Sequence, residues 1–369
     1  MHKALSFGAA LLVSAGAASA RSNVSLYGTI DVYGQYLDSA ARLVRVQSGG
    51  STGSRLGFRG TEDLGDGFKA LFTLEMGLNG DDGTLGQGGL AFGRQAFVGL
   101  SDRWGELTLG RQYGSTYRVG SDFSAFGIGS YGPSTQTIGG FAGGYEPFRG
   151  ASSTSVPPAA GATGNGSPSR INNSVRYASP SWSGVQATAI IGLGEAAGSA
   201  RDNRIYDVAL RYTRGPMDAI VMYVSDKRTA GATPADTSTL GLGGTWTFGG
   251  AYKLFAGYVG VDDKRAENLD GRGYWLGGEY RWGSQLVRAQ WIQNKPRYGA
   301  DNKTTAFGIG YQYDLSKRTA LYSSLTRFQN GADAGPAGSG RFFAPIPAGL
   351  TTPGDNDISE LTLGIRHSF

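Results

Sequence analysis

The hydrophobic positions of this chain recur at every second residue in stretches of about ten, the period that places them on one face of a β-strand. Near the end, Leu361, Leu363, Ile365 and Phe369 alternate with Thr362, Gly364, Arg366 and Ser368. Leu240, Leu242, Trp246 and Phe248 stand against Thr239, Gly241, Gly243, Thr245 and Thr247, and Phe307, Ile309, Tyr311 and Tyr313 against Ala306, Gly308, Gly310 and Gln312. A soluble sandwich alternates too, so the character of the second face decides. Here that face carries Gly, Thr, Gln and charges, as a wet lumen requires. Aromatic residues gather at strand ends beside short turns, at Trp104, Trp182, Trp246, Phe248 and Trp282, which fits a membrane–water boundary.

The connections alternate between tight turns and longer Gly-rich or charged loops. Seven short links fall near 63–67, 102–105, 180–184, 215–217, 249–251, 283–285 and 315–318. Seven hairpins plus one strand at each terminus predict an all-β fold, a 16-stranded antiparallel transmembrane β-barrel with both termini on the short-turn, periplasmic side. Residues 220–224 and 255–261 are apolar on both faces, which subunit contact or cover by a loop would explain. Two connections are long, about 114–169 and 331–356. Loops of that length within a compact domain are functional or disordered. The first follows strand five and carries Phe123, Phe126, Tyr131, Phe141, Tyr145 and Phe148. Those rings call for a surface to pack on, and folding into the lumen would provide one.

The N-terminus adds a compartment. Lys3, an apolar stretch around 9–13 and then Ala18-Ser19-Ala20 form the pattern of a signal peptide, residues 1–20, cut after Ala20 to leave a single barrel domain, 21–369. The apolar stretch is broken by Ser14 and Gly16, whereas a spanning helix needs about 20 mostly apolar residues. No later run supplies one, so passage through a membrane would use strands of a sheet closed on itself. Cysteine is absent from a chain bound for an oxidising compartment, so no disulfide staples the fold. Removing Lys3 takes the 34 basic residues to 33 against 29 acidic, a balance too even to argue for nucleic acid.

Catalysis has little to stand on. Beyond the leader the sole histidine is His367, third from the end, so a histidine-based triad or a His/Cys metal site would have to be built there. The chain reads as no enzyme, with no cofactor and no metal. Asp81 with Asp82 and Asp262 with Asp263 lie at strand ends, as solvated loop charges or weak divalent-ion contacts.

Six stretches in order along the chain carry a family likeness: VSLYG at 24–28, SRLGFRG at 54–60 followed by TEDLG, RQAFVGL at 94–100, LTLGRQ at 107–112, NSVRY at 173–177 and the terminal Phe369. With these the chain resembles the trimeric, sixteen-stranded general porins of Gram-negative outer membranes. The resemblance implies a water-filled channel for passive diffusion of small hydrophilic solutes and ions, a homotrimer, and contact with outer-membrane lipid, lipopolysaccharide and the barrel assembly machinery, which would read Phe369. It also implies that the third extracellular loop bends inward, its acids facing a basic wall. By position that wall is Arg55, Arg94 and Arg170. Parity turns Arg55 away from Leu56 and Phe58 and aligns Arg170 with Arg176. For Arg94, the neighbours Ala96, Val98 and Leu100 make its face apolar, while a lipid-facing Phe97 would turn it inward.

Arg45, Arg59 and Lys69 are further lumen candidates by parity, and Asp122 is the loop acid expected to face the wall, with Glu146 second. The segment 127–133, where such porins often carry further acids, has none, and Arg118 lies on the same loop. A weak preference for anions follows. A substrate-specific channel and a barrel that binds through its loops are the alternatives.

Overall fold

The computed structural model describes residues 22–129, 132–133, 166–167, 169–195, 198, 203–227, 229–230, 233–234, 237–263, 271–296, 303–331, 350 and 357–369. In chain order the elements are β1 (Ser22–Asp38), β2 (Arg42–Ser48), β3 (Arg55–Gly65), β4 (Phe68–Gly77), α1 (Gly86–Gly89), β5 (Gln95–Asp102), β6 (Gly105–Tyr113), α2 (Ser115–Asp122), β7 (Gly166–Ser167), β8 (Arg170–Ala178), β9 (Val185–Gly192), β10 (Ile205–Arg214) and β11 (Met217–Asp226). They continue as β12 (Thr229–Ala230), β13 (Thr233–Pro234), β14 (Thr237–Phe248), β15 (Tyr252–Asp263), β16 (Gly271–Trp282), β17 (Gln285–Pro296), β18 (Thr304–Asp314), β19 (Thr319–Asn330) and β20 (Ile358–Ser368).

Sixteen of these strands, β1, β3–β6, β8–β11 and β14–β20, pair antiparallel around a closed barrel. The chain ends close it: β1 pairs with β3 on one edge and with β20 on the other, and Phe369 and Gly28 exchange backbone hydrogen bonds at 3.0 Å. The short β2 continues the line of β3 along β1, from Val32 opposite Ser48 to Asp38 opposite Arg42. Residues 49–54 interrupt that line. All seven short links are present where the alternation places them, joining β3–β4, β5–β6, β8–β9, β10–β11, β14–β15, β16–β17 and β18–β19. Each is fixed locally. At the first residue of β6, Gly105 has φ +118°, and a side chain there would run into the Ala178 carbonyl. In the 315–318 turn the Ser316 hydroxyl takes the Arg318 and Thr319 amides at 3.1 and 3.0 Å.

Outside the barrel stands an apolar band that includes Leu26, Val98, Leu109, Val208, Leu242, Leu276, Ile309, Leu325 and Leu363, all exposed on the isolated chain. Lipid supplies their solvent. At the turn end the outward rings run together, Phe248, Tyr252, Tyr280 and Trp282 following one another at centroid separations of 5.2, 4.6 and 5.0 Å. No described helix is long and apolar enough to cross a membrane.

The strands that are apolar on both faces have an internal explanation. Val221 and Tyr223 face outward while Ile220, Met222 and Val224 face inward, and there they join Val119 and Phe123 of the loop after β6 in one buried cluster with Val259, Val261 and Trp275. Phe255 joins a second cluster with Ala125 and Phe126 of the same loop. Cover by an inward loop, of the two explanations the pattern leaves open, accounts for the inner face. Residues 1–20, Glu146, Tyr131, Phe141, Tyr145 and Phe148 and most of 331–356 lie outside the described residues.

Candidate functional site: the loop-lined lumen

The loop turns inward at the end of β6 through α2. A helix start leaves amides without partners, and Gly114 at the cap has no side chain to offer. The partner comes from the neighbouring wall: Asp207 of β10, three strands on from β6 and buried to 0 % exposure, accepts the Ser115 amide at 2.6 Å. Beyond the helix the loop is tied to successive inner-wall residues. Trp275 Nε1 donates to the Phe123 carbonyl at 2.7 Å, Gln290 Oε1 accepts from Ser124 Oγ at 3.0 Å and the Ala125 amide at 2.7 Å, and Arg288 donates to the Ala125 carbonyl at 2.9 Å. Gly132 then donates to Glu360 on β20 at 3.4 Å. The loop thus narrows the lumen while hugging β10 to β20.

At the root of the loop Tyr113 and Tyr117 stack at 3.8 Å, and three guanidiniums surround the Tyr113 ring: Arg94 and Arg118 at 5.8 Å and Arg170 at 5.5 Å from its centroid. Arg94 is buried and ion-paired to Glu75 at 2.7 Å, and Glu75 also accepts the hydroxyls of Tyr113 and Tyr27 at 2.7 and 2.8 Å. Arg170 is buried too, lying over Tyr117 as well. Only Arg118 of the three is exposed to the lumen.

The basic wall expected from sequence therefore divides. Arg55 opens β3 opposite Thr29, on the inner face that parity assigns, with its guanidinium on Thr52 Oγ1 at 3.2 Å. Arg45 is inward, on Gln35 at 2.6 Å. Arg59 is inward and exposed over the Tyr27 ring at 5.1 Å, and Lys69 is exposed near the turn, in register with Asp63 and Ser101. Arg94 and Arg170 instead brace the loop root beneath Arg118. The parity argument for Arg94 fails for a definite reason. Phe97 faces the lumen, in register with Thr73 and Gly110, but Arg94 precedes the first residue of β5 and is free of its alternation. Arg170 loses its simple register with Arg176 because the β6–β8 pairing shifts at Gly110 and Asn173 has φ 49°.

Asp122 does not face that wall. Its carboxylate is on Arg211 of β10 at 2.7 Å, and Arg211 holds Asp218 of β11 at 2.6 Å. Arg118 and Asp122 stand one helical turn apart, a spacing that favours a pair, yet Asp122 is drawn to Arg211 on β10. Sequence reading misses Arg211, Glu75, Tyr113 and the 49–54 insert. Alternation with Val208 and Leu210 marks Arg211 as inward, whereas nothing local marks its partners. Arg366, inward by the alternation of β20, reaches Ser51 Oγ at 2.9 Å. Phe369 lies outward over Gly28, and His367 bonds Thr319 Oγ1 at 2.9 Å. No group of three or more metal-ligating side chains occurs among the described residues.

Comparison with known proteins agrees with this architecture. A family model described as Gram-negative porin matches residues 8–333. An outer membrane porin protein of Bordetella pertussis is 31% identical over 392 residues, covering 88% of this chain and 93% of its own length. Outer membrane porin protein 32 of Delftia acidovorans is 31% identical over 383 residues, covering 98% of each. Among solved structures, an anion-selective porin from Comamonas acidovorans superposes with a TM-score of 0.77 at 29% identity, over 95% of this chain and 100% of the other. OmpT of Vibrio cholerae shares the fold with a TM-score of 0.64 at 16% identity. The chain belongs to the Gram-negative porin family and is an outer-membrane barrel for passive diffusion.

Proposed function

We propose that this porin favours anions among the small hydrophilic solutes it passes. One observation carries the reading. Among the described residues Arg45, Arg55, Arg59, Arg118 and Arg366 make no ion pair, and the groups their side chains touch are an amide, hydroxyls, a carbonyl oxygen and aromatic rings. Glu75, Asp31 and Glu360 act on Arg55, Arg366 and Arg45 only from beyond ion-pair distance. The carboxylates of the same inner surface are engaged. Glu75, Glu106, Asp122, Asp218 and Glu279 each pair with an arginine, and Asp31, Asp207 and Glu360 receive backbone amides. A narrow aqueous passage through low-dielectric walls focuses such an excess. The likeness to a relative described as anion-selective supports the same reading.

Arg55 is the wall residue most directly placed to act, with Arg45, Arg59 and Lys69 along the same side; Arg94 and Arg170 act by holding the loop and Arg118. Residues 1–20 serve as the signal peptide, the working unit is a homotrimer in lipid and lipopolysaccharide, Phe369 is the assembly signal, and transport involves no catalytic step. Outward Leu26, Ile30, Val32, Leu56, Phe58, Phe72 and Leu74 form the candidate trimer face.

Swelling of proteoliposomes tests the charge preference on solutes. A small carboxylate should enter faster than an alkylammonium of equal size, with a neutral solute between them. Faster entry of the alkylammonium would contradict the reading.

A further inference from the structure

The six residues 49–54 that interrupt the line of β2 and β3 are tied to one side chain. Asp31, on the inner face of β1 and 0 % exposed, accepts the amides of Ser51 and Thr52 through Oδ2 at 2.9 Å each, and its Oδ1 accepts the Tyr322 hydroxyl. The Asp31 backbone takes part as well: its carbonyl accepts the Gly49 amide at 2.7 Å and Ser54 Oγ at 3.0 Å, and its amide donates to Ser54 Oγ at 3.0 Å. Gly50 fits against Tyr33 and Tyr322 only because it has no side chain, since a Cβ there would collide with the Tyr322 hydroxyl.

Three guanidiniums converge on the insert so formed. Arg366 donates to Ser51 Oγ at 2.9 Å, Arg55 donates to Thr52 Oγ1 at 3.2 Å and the Gly53 carbonyl at 3.4 Å, and Arg94 Nη1 stands 2.9 Å from where a Cβ of Gly53 would be. The far part of the inward loop lands here too, with Gly129 packed directly on the Gly50 carbonyl. Hydroxyls and a carbonyl oxygen hold Arg366 and Arg55 without an ion pair, while the charge of Arg94 is met by Glu75.

We infer that Asp31 is a positioning residue for ion selectivity: by clamping the 49–54 insert it aims Arg55 and Arg366 into the lumen and seats the inward loop at Gly129. The inference rests on the anion-preference reading. It makes a prediction of sign. If Asp31 acted only through its own charge, removing that charge would raise the preference for anions or leave it alone. If it positions the arginines, the preference must fall although a negative charge has been lost.

The experiment compares zero-current potentials across planar bilayers in a potassium chloride gradient for the full-length protein and for Asp31→Asn, Gly50→Ala and the double variant Ser51→Ala/Thr52→Ala. Folding of each is checked by the heat-dependent mobility of the barrel in detergent gels. The chloride-to-potassium permeability ratio is expected to fall about twofold or more in each folded variant, because a few guanidiniums set the field of a narrow pore. Gly50→Ala changes no charge and tests the insert alone. The double variant keeps the amides that Asp31 holds and removes the hydroxyls under Arg366 and Arg55, so an unchanged ratio there overturns the step from insert to arginines even if the other two fail to fold. A ratio that is unchanged or higher in the folded variants overturns the inference while an anion-preferring wild type stands. A cation-preferring wild type overturns both.

Discussion

A guanidinium on the inner wall contributes to the field of the pore in proportion to what is left of its charge after its neighbours are counted. Arg55 keeps its charge, and Arg211 shares its own with Asp122 and Asp218. Position was legible in the sequence wherever a residue lies within a strand, since alternation with Leu56 and Phe58 is enough to turn Arg55 inward. Partnership was not, because Arg211 lies 89 residues from Asp122 and nothing in the loop names it. Arg94 shows the limit of parity itself, a residue one step outside β5 and so not bound by its period. Its pairing with Glu75 is buried on both sides. Removing one member of such a pair leaves an uncompensated charge, at a cost of about 3–5 kcal/mol. Glu75→Gln should therefore lower the temperature at which the barrel unfolds in detergent. An unchanged temperature would mean that water reaches Arg94.

At the scale of elements, strands and turns were readable because their causes are local: a period of two, a glycine or serine that fixes a turn, an apolar face that must meet lipid. The long loop was legible in outline, through rings that needed a surface, but α2 and its anchors depend on residues of β10, β16 and β17. The double-sided apolar strands became explicable only with the loop in place. Phe123 is the pin of that arrangement, fully buried and under Arg211 at 5.2 Å. Truncating a buried phenylalanine costs about 3–5 kcal/mol. That energy is drawn here from the docking of the loop, while the barrel keeps its hydrogen-bonded closure. Phe123→Ala should thus leave barrel unfolding nearly unchanged and raise single-channel conductance and its noise. A quiet channel of wild-type conductance would show that other anchors suffice. The insert at 49–54, GGSTGS in sequence, reads as a simple break between strands; its inward fold depends on Asp31 and Tyr322, which come from the first strand and the last strand but one.

The whole molecule combines a closed wall, an inward loop and an imbalance in which most inner carboxylates are ion-paired, three others receive backbone amides, and five inner arginines have no ion pair among the described residues. The near-even formal charge of the sequence conceals this, because selectivity depends on where pairs form and not on the total. The most direct test of that account is the zero-current potential of the wild-type protein in a planar bilayer under a potassium chloride gradient, repeated after Arg55→Gln. The account predicts a potential of the sign set by chloride, shifted toward zero by the substitution. A potential of the sign set by potassium in the wild type, or one indifferent to Arg55, would contradict it.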